Sequence, residues 1–224
     1  MGAVLKKELK AYFLSPIGYV VIGIFLLFFS EFFREYIINT GTVDLGYLYG
    51  ATLAWGSIVI IPILTMRSFS EERKTGTEQL LFTSPTGMFK IVMGKFFAAV
   101  VTVCITLAIS MIYYVIVSYF GTPNMGTTLV QIFGFILVSM AAISFGIFAS
   151  SLTENQVIAA IITVAFLLLN IFMDSQVVKL NLLNFYANFE VGVISIEDII
   201  SLLLYTFLFI SLTIIVLQRR KLVK

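Results

Sequence analysis

The hydrophobic positions of this 224-residue chain form long blocks separated by short polar stretches. A helix rises about 1.5 Å per residue, so roughly 20 apolar residues cross about 30 Å of hydrocarbon. Blocks of this length predict six transmembrane helices in an all-α chain. They lie at about 16–38, 48–66, 89–120, 128–152, 157–174 and 198–217.

Residues 1–15 form a polar segment before the first block, and their pattern predicts an amphipathic helix. The apolar positions are Val4, Leu5, Leu9, Tyr12 and Phe13, and the lysines are Lys6, Lys7 and Lys10. The two groups fall on opposite sides of a helix, as in helices that lie in the membrane interface. Ser15 and Pro16 end this helix, and Pro16 can open the next one.

Residues 67–88 form a second polar segment, between the second and third blocks. Ser68 and Glu71 have the spacing of a capping box, and Thr75 and Glu78 have it again, with Gly76 as a break between them. The pattern predicts two short helices. The second, at about 77–83, carries Leu80, Leu81 and Phe82. These side chains need burial on the bilayer surface, on the protein's own helices or on a partner. The pattern does not decide among these three locations.

Residues 175–197 form a third such segment, predicted to contain an interfacial helix on the outer side. Its apolar residues are Leu182, Leu183, Phe185, Tyr186 and Phe189, and Gly192 permits a turn. Ser195 and Asp198 have N-cap spacing before the sixth span. The pattern does not distinguish an interfacial anchor from a gate.

Composition supports a membrane protein. The chain is 60% apolar and 12% charged, whereas a soluble domain carries about a quarter charged residues. Six spans leave no room for a separate soluble domain. The chain has no histidine, which excludes Ser–His–Asp triads and zinc-protease motifs, so no enzyme activity is expected.

Charge predicts the orientation. All but two of the 14 lysines and arginines, the exceptions being Arg34 and Lys179, lie at one predicted side, in segments 1–15, 67–95 and 219–224. The positive-inside rule places this side in the cytoplasm. Both termini are therefore predicted to be cytoplasmic, which agrees with an even number of spans.

Polar residues inside the blocks are few. Asn170 and Asp174 lie one helical turn apart in the fifth span, either on a translocation path or close to interfacial water. Two other sets follow single helix faces and predict close packing between helices. They are Thr102, Thr106 and Ser110 in the third span, and Ala142, Gly146 and Ser150 in the fourth.

Two stretches resemble a known family. The run Ser70-Glu-Glu-Arg-Lys-Thr-Gly-Thr-Glu-Gln-Leu-Leu-Phe-Thr-Ser-Pro85 is similar to the loop between the second and third spans of ABC-2 type transporter permeases. The run Leu183-Asn-Phe-Tyr-Ala-Asn-Phe-Glu-Val-Gly-Val-Ile-Ser-Ile-Glu-Asp198 is similar to their external segment before the sixth span. The nearest subgroup is that of gliding-motility-associated and copper-processing-associated permeases.

The resemblance implies a single transmembrane domain over 1–224, with 1–15 as an elbow helix and 67–88 as the coupling loop. Such a subunit, typically an exporter, pairs with an identical or different second permease in the plasma membrane of a prokaryote. A separate ATPase subunit, which binds the ATP and magnesium, docks on the coupling helix. An accessory membrane or extracytoplasmic subunit is left open, and no nucleic acid is expected. The implied docking residues are Glu71, Glu72, Arg73, Gly76, Thr77, Glu78, Gln79, Leu80 and Leu81.

The chain itself lacks an ATP site by sequence. Gly87 to Lys95 has six residues between its glycines instead of the four of a phosphate loop, and Phe96 replaces the required Ser or Thr. The alternative function is a six-span substrate-capture subunit of a vitamin-uptake-type transporter, which docks on a separate coupling subunit. The charged Gly76–Glu78 loop favours the ABC-2 permease.

Overall fold

The computed structural model describes residues 1–39, 41, 44–79, 87–172 and 181–223, and the secondary structure of this part of the chain is helical. The helices are α1 (Gly2–Leu14), α2 (Ile17–Phe32), α3 (Gly46–Ala51), α4 (Ser57–Thr65), α5 (Ser70–Lys74), α6 (Met88–Phe120), α7 (Met125–Leu152), α8 (Gln156–Phe172), α9 (Asn184–Glu190) and α10 (Ile196–Val223). Two π-helical segments, Phe33–Ile38 and Thr52–Gly56, extend α2 and join α3 to α4.

Five continuous helical stretches of the described part, two of which contain more than one of these elements, are long and apolar enough to cross a membrane. They are Ile17–Ile38, Gly46–Lys74, Met88–Phe120, Met125–Leu152 and Ile196–Lys221. These candidate spans overlap five of the six predicted ones. The predicted fifth span, at 157–174, corresponds to α8, an apolar helix with 17 described residues. Six spans therefore remain a prediction, whereas a multi-pass membrane protein is supported.

Helix α7 lies at the centre of the bundle and contacts α3, α4, α6, α8, α9 and α10. Small residues make this possible. A Cβ atom added to Gly146 would overlap the Thr65 side chain on α4, and one added to Gly134 would overlap the Phe189 ring on α9. Ala142 and Ser150 are buried on the same face. The small-residue face predicted in the fourth span therefore does pack closely against neighbouring helices.

The polar face of α6 is also used for packing. Thr102, Thr106 and Ser110 are buried, and each hydroxyl donates to a backbone carbonyl of its own helix. Tyr49 Oη and Ser110 Oγ lie 3.2 Å apart, which joins α3 to α6. Hydroxyls that are satisfied inside the bundle stabilise helix packing without a water-filled path.

Helix α9 is present where an interfacial helix is predicted, but its aromatic side chains are buried in protein. Tyr186 and Phe189 are 2% and 0% exposed and pack against α7 and α3. The amide nitrogen of Gln131 donates to the Glu190 carbonyl at 2.9 Å, which fixes the end of α9. Apolarity alone does not distinguish a residue that faces lipid from one that faces protein.

Helix α10 begins at Ile196, directly after Ser195, as the Ser195–Asp198 spacing predicts. The Asp198 carboxylate accepts a hydrogen bond from the Asn188 side chain at 2.7 Å. This bond joins α10 to α9 at the end of the bundle opposite to α5.

Candidate functional site

We define the coupling segment as residues 66–79, which are Met66 and the described residues of the predicted coupling loop up to Gln79. It follows α4 at one end of the bundle and contains α5. A turn at Thr75–Thr77 follows α5, and Gly76 has a φ of 74°, a conformation that favours glycine. Glu78 and Gln79 are helical again. The predicted break at Gly76 is therefore confirmed, and the rest of the predicted second helix lies outside the described residues.

Ser150 on α7 holds the start of the coupling segment. Its hydroxyl accepts the backbone N–H groups of Phe69 and Ser70 at 3.0 and 3.2 Å and donates to the Met66 carbonyl at 3.1 Å. The predicted Ser68–Glu71 capping box is wrong, because α5 begins at Ser70 with Phe69 as its N-cap and no side-chain cap. A residue of another helix satisfies these N–H groups instead.

Arg73 joins the coupling segment to the connection between α7 and α8. Its guanidinium lies 2.7 Å from the Glu154 carboxylate and donates to the Leu152 carbonyl at 3.3 Å. The Glu154 side chain is 60% exposed. Exposed ion pairs contribute little to stability, so this pair mainly fixes where the coupling segment lies relative to that connection.

A buried charge cluster lies beneath α5. The Lys95 ammonium on α6 is 3.0 Å from Glu8 on α1 and 2.9 Å from Glu72 on α5. The Lys95 side chain is 3% exposed, and its nitrogen also lies 5.1 Å from the centre of the Phe69 ring. We call Glu8, Lys95 and Glu72 the charge triad. It joins three elements that are distant in sequence.

Tyr12 joins α1 to the end of α4. Its hydroxyl donates to the Leu64 carbonyl at 2.9 Å and is buried. Burial, and then the nearby Glu8 carboxylate, raise the pKa of Tyr12 above its usual range. The hydroxyl is therefore neutral at physiological pH and remains a donor.

The far end of the coupling segment contacts α10. Arg220 Nη1 lies 3.5 Å from Glu78 Oε1, and the Glu78 side chain is 5% exposed. Together with Ser150, Arg73 and the charge triad, this pair gives the coupling segment polar contacts to α6, α7, α10 and the α7–α8 connection, and Lys95 links it onward to α1.

The predicted docking residues divide into two groups. Glu71, Gly76, Thr77 and Gln79 are exposed, whereas Glu72, Arg73 and Glu78 form ion pairs within the chain. Leu80 and Leu81 lie outside the described residues. The exposed group marks the accessible face of the coupling segment.

The two predicted path residues also differ. Asn170 donates to the Phe166 carbonyl at 2.8 Å and accepts the Leu182 N–H at 3.0 Å, so it holds the chain that leads into α9. It also lines a cavity of about 20 Å³ with Ser57 and Ser139. That volume is close to the size of one water molecule. Asp174 lies outside the described residues.

Sequence reasoning missed Glu8, Lys95, Ser150 and Arg220 as contacts of the coupling segment. From sequence, Lys95 is only one of the basic residues on the predicted cytoplasmic side, and Ser150 is only a packing residue. The one sequence signal was Lys95 itself, a charge seven residues into an apolar helix that begins at Met88. Among the described residues, no group of three or more Cys, Asp or Glu residues has a geometry that could hold a metal ion.

The helical bundle, its five long apolar helices and the anchored segment define a multi-pass membrane protein with a structured connection after its second span. The family model described as ABC-2 family transporter protein matches residues 39–175, which is more than half of the chain. The chain belongs to the ABC-2 family of transporter proteins. A comparison with curated proteins gives no match. Membership of this family supports the permease of an ABC transporter, which is a transport component and is not itself catalytic. It does not support the alternative of a substrate-capture subunit of a vitamin-uptake-type transporter.

Proposed function

We propose that this chain is a permease subunit whose energy comes from a separate ATPase that docks on the 67–88 loop. A second permease chain, identical or different, completes the membrane unit. The loop side and both termini face the cytoplasm of a prokaryote, and the transport direction is export. Family membership supports the permease, and the clustering of lysine and arginine supports the orientation.

The observation that carries ATPase docking is the anchoring of the coupling segment. A docking element transmits force only if it is joined firmly to the spans. Contacts of 2.7 to 3.5 Å connect Phe69, Ser70, Glu72, Arg73 and Glu78 to α6, α7, α10 and the α7–α8 connection. A displacement of the coupling segment would therefore reach these elements directly.

The exposed face of the coupling segment is what an ATPase would contact. Glu71, Lys74, Thr77 and Gln79 are exposed there, and Leu80 and Leu81 follow directly in the sequence. In this proposal the leucines fill an apolar groove of the ATPase and the exposed polar residues fix its register. Glu72 and Glu78 act through the position of the segment, because their carboxylates contact Lys95 and Arg220.

The test of docking is Leu80→Glu, which places a charge in the apolar contact. The matched control is Ile194→Glu, an exposed apolar residue beside α9 at the opposite end of the bundle. We expect Leu80→Glu to lose co-purification with the ATPase while its size-exclusion profile stays that of the wild type. Retained co-purification and retained transport-linked ATP hydrolysis in Leu80→Glu would refute the docking assignment.

The orientation has its own test. Lys74 and Glu197 are exposed at opposite ends of the bundle. With Cys104 replaced by Ser, a cysteine at position 74 should react with a membrane-impermeant thiol reagent only in opened cells or inside-out vesicles. A cysteine at position 197 should react in intact cells. The reverse pattern would invert the topology and remove the ATPase from the 67–88 loop.

A further inference from the structure

An open groove of about 590 Å³ lies between α1 and the start of α2. It is lined by Gly2, Leu5, Lys6, Leu9, Lys10, Phe13, Leu14 and Tyr19. Phe13 and Tyr19, both in the lining of the groove, meet edge to face with ring centres 6.3 Å apart. The turn at Ser15 and Pro16 sets the two helices at the angle that creates it.

The opposite face of α1 is already used. The Val4 side chain packs next to Gly94 on α6, and the Tyr12 hydroxyl is bonded to the Leu64 carbonyl. The described residues leave the groove face uncovered, since Leu14 and Tyr19 are 85% and 64% exposed. When a chain leaves an apolar surface exposed next to its transmembrane helices, that surface contacts lipid, a second copy of the chain or another protein.

Charge distinguishes between these occupants. Lys6 and Lys10 line the groove one helical turn apart, at a separation of about 6 Å along the axis. The acidic residue of α1, Glu8, contacts Lys95 on the other side of the helix. No described residue that lines the groove is acidic. The groove therefore combines apolar side chains with two lysines that no carboxylate among its described lining residues neutralises.

We propose that this groove binds one anionic phospholipid. Its phosphate group contacts Lys6 and Lys10, and an acyl chain lies along Leu9, Phe13, Leu14 and Tyr19. A neutral lipid would cover the apolar residues of the groove but would leave the two lysines without a counter-charge. A second copy of α1 would bring more lysines close to Lys6 and Lys10. This proposal does not depend on ATPase docking.

The test uses the purified protein in mixed micelles that contain equal amounts of phosphatidylglycerol and phosphatidylcholine, with bound lipid measured by native mass spectrometry. We expect the wild type to retain one phosphatidylglycerol in preference to phosphatidylcholine. Each lysine near a phosphate adds about a factor of five in affinity, so Lys6→Gln/Lys10→Gln should lower retention by roughly tenfold or more. Lys7→Gln/Lys90→Gln removes two exposed charges that do not line the groove and should leave retention unchanged.

Four outcomes would overturn the proposal, and the last of them is displacement of the lipid by a soluble anion. One is equal retention of both lipids by the wild type, and another is an equal loss in both double variants. The third is efficient cross-linking between copies through a cysteine at Leu14, which would assign the groove to a contact between chains. Glycerol phosphate, added as a soluble competitor, should not displace the lipid, because displacement would indicate a site for a free anion instead.

Discussion

The ammonium group of Lys95 lies 2.9 Å from the carboxylate of Glu72, although both side chains are largely buried and the residues belong to different helices. Glu8 approaches the same ammonium at 3.0 Å, so one cation faces two carboxylates. Among the described residues, the second carboxylate oxygen of Glu72 has no hydrogen-bond partner. Such a cluster depends on its cation, because its removal leaves two buried anions close together.

We therefore predict that Lys95→Met destabilises the protein by about 3 to 5 kcal/mol. The measurement is the free energy of unfolding by SDS in mixed micelles. Lys90→Met is the matched control, because Lys90 is exposed at the start of the same helix. Adding Glu72→Gln to Lys95→Met should recover part of the loss. Equal stability of the Lys95 and Lys90 variants would show that the charge triad is not formed.

Ser150 gives a second prediction. Ser150→Ala leaves the N–H groups of Phe69 and Ser70 without their acceptor, and unsatisfied buried groups cost about 1 to 3 kcal/mol. Ser151→Ala is the control, because the Ser151 hydroxyl donates only to Phe148 in its own helix. Hydrogen exchange at residues 69 and 70 should increase in the first variant alone. Unchanged exchange there would contradict the assigned role of Ser150.

A third prediction concerns the contact between α4 and α7. A methyl group at Gly146 would overlap the Thr65 side chain, so Gly146→Ala should force the two helices apart and cost about 1 to 3 kcal/mol. In Gly23→Ala on α2, apart from the adjacent residues and the backbone of its own helix, no described atom lies within 4 Å of the new methyl group, so this variant should be neutral or slightly stabilising. Thermal stability in detergent compares the two. A tolerated Gly146→Ala would show that these helices are further apart.

A fourth prediction concerns pH. Burial, and then the negative charge of Asp44, raise the pKa of Glu190 above its ordinary value of 4.5. The folded state therefore binds this proton more tightly than the unfolded state. Stability should be highest below pH 4.5 for this group and should fall as the pH rises through the raised pKa.

The variant Glu190→Gln should reduce this part of the pH dependence, measured as detergent melting temperature against pH. Glu197→Gln, an exposed acid on α10, serves as the control and should leave the profile as it is. A profile that is identical in the wild type and Glu190→Gln would refute the assignment.

Much of the bundle follows from the sequence because hydrophobic length is a local property. The predicted spans at 16–38 and 89–120 correspond to helices Ile17–Ile38 and Met88–Phe120. The turn at Gly76 was also predictable, since glycine reaches its φ of 74° without strain. Each of these features depends on residues that are close together in the chain.

The anchoring of the coupling segment was not predictable, because its partners are far apart in sequence. Glu8 and Lys95 are 87 residues apart, and Arg220 and Glu78 are 142 apart. No spacing rule relates such pairs. Tyr186 and Phe189 show a different limit, since an apolar residue near a membrane has the same pattern whether it faces lipid or a neighbouring helix.

The charge triad also restricts how the first helix can move. Lys95 keeps both of its contacts only while α1 and α5 stay within hydrogen-bonding distance of the same nitrogen, a tolerance of a few tenths of an ångström. Separating either helix from α6 would leave a carboxylate without its cation in a site with little water. Over a cycle of motion, α1, α5 and the start of α6 are therefore expected to travel as one rigid body, with hinges located elsewhere in the bundle.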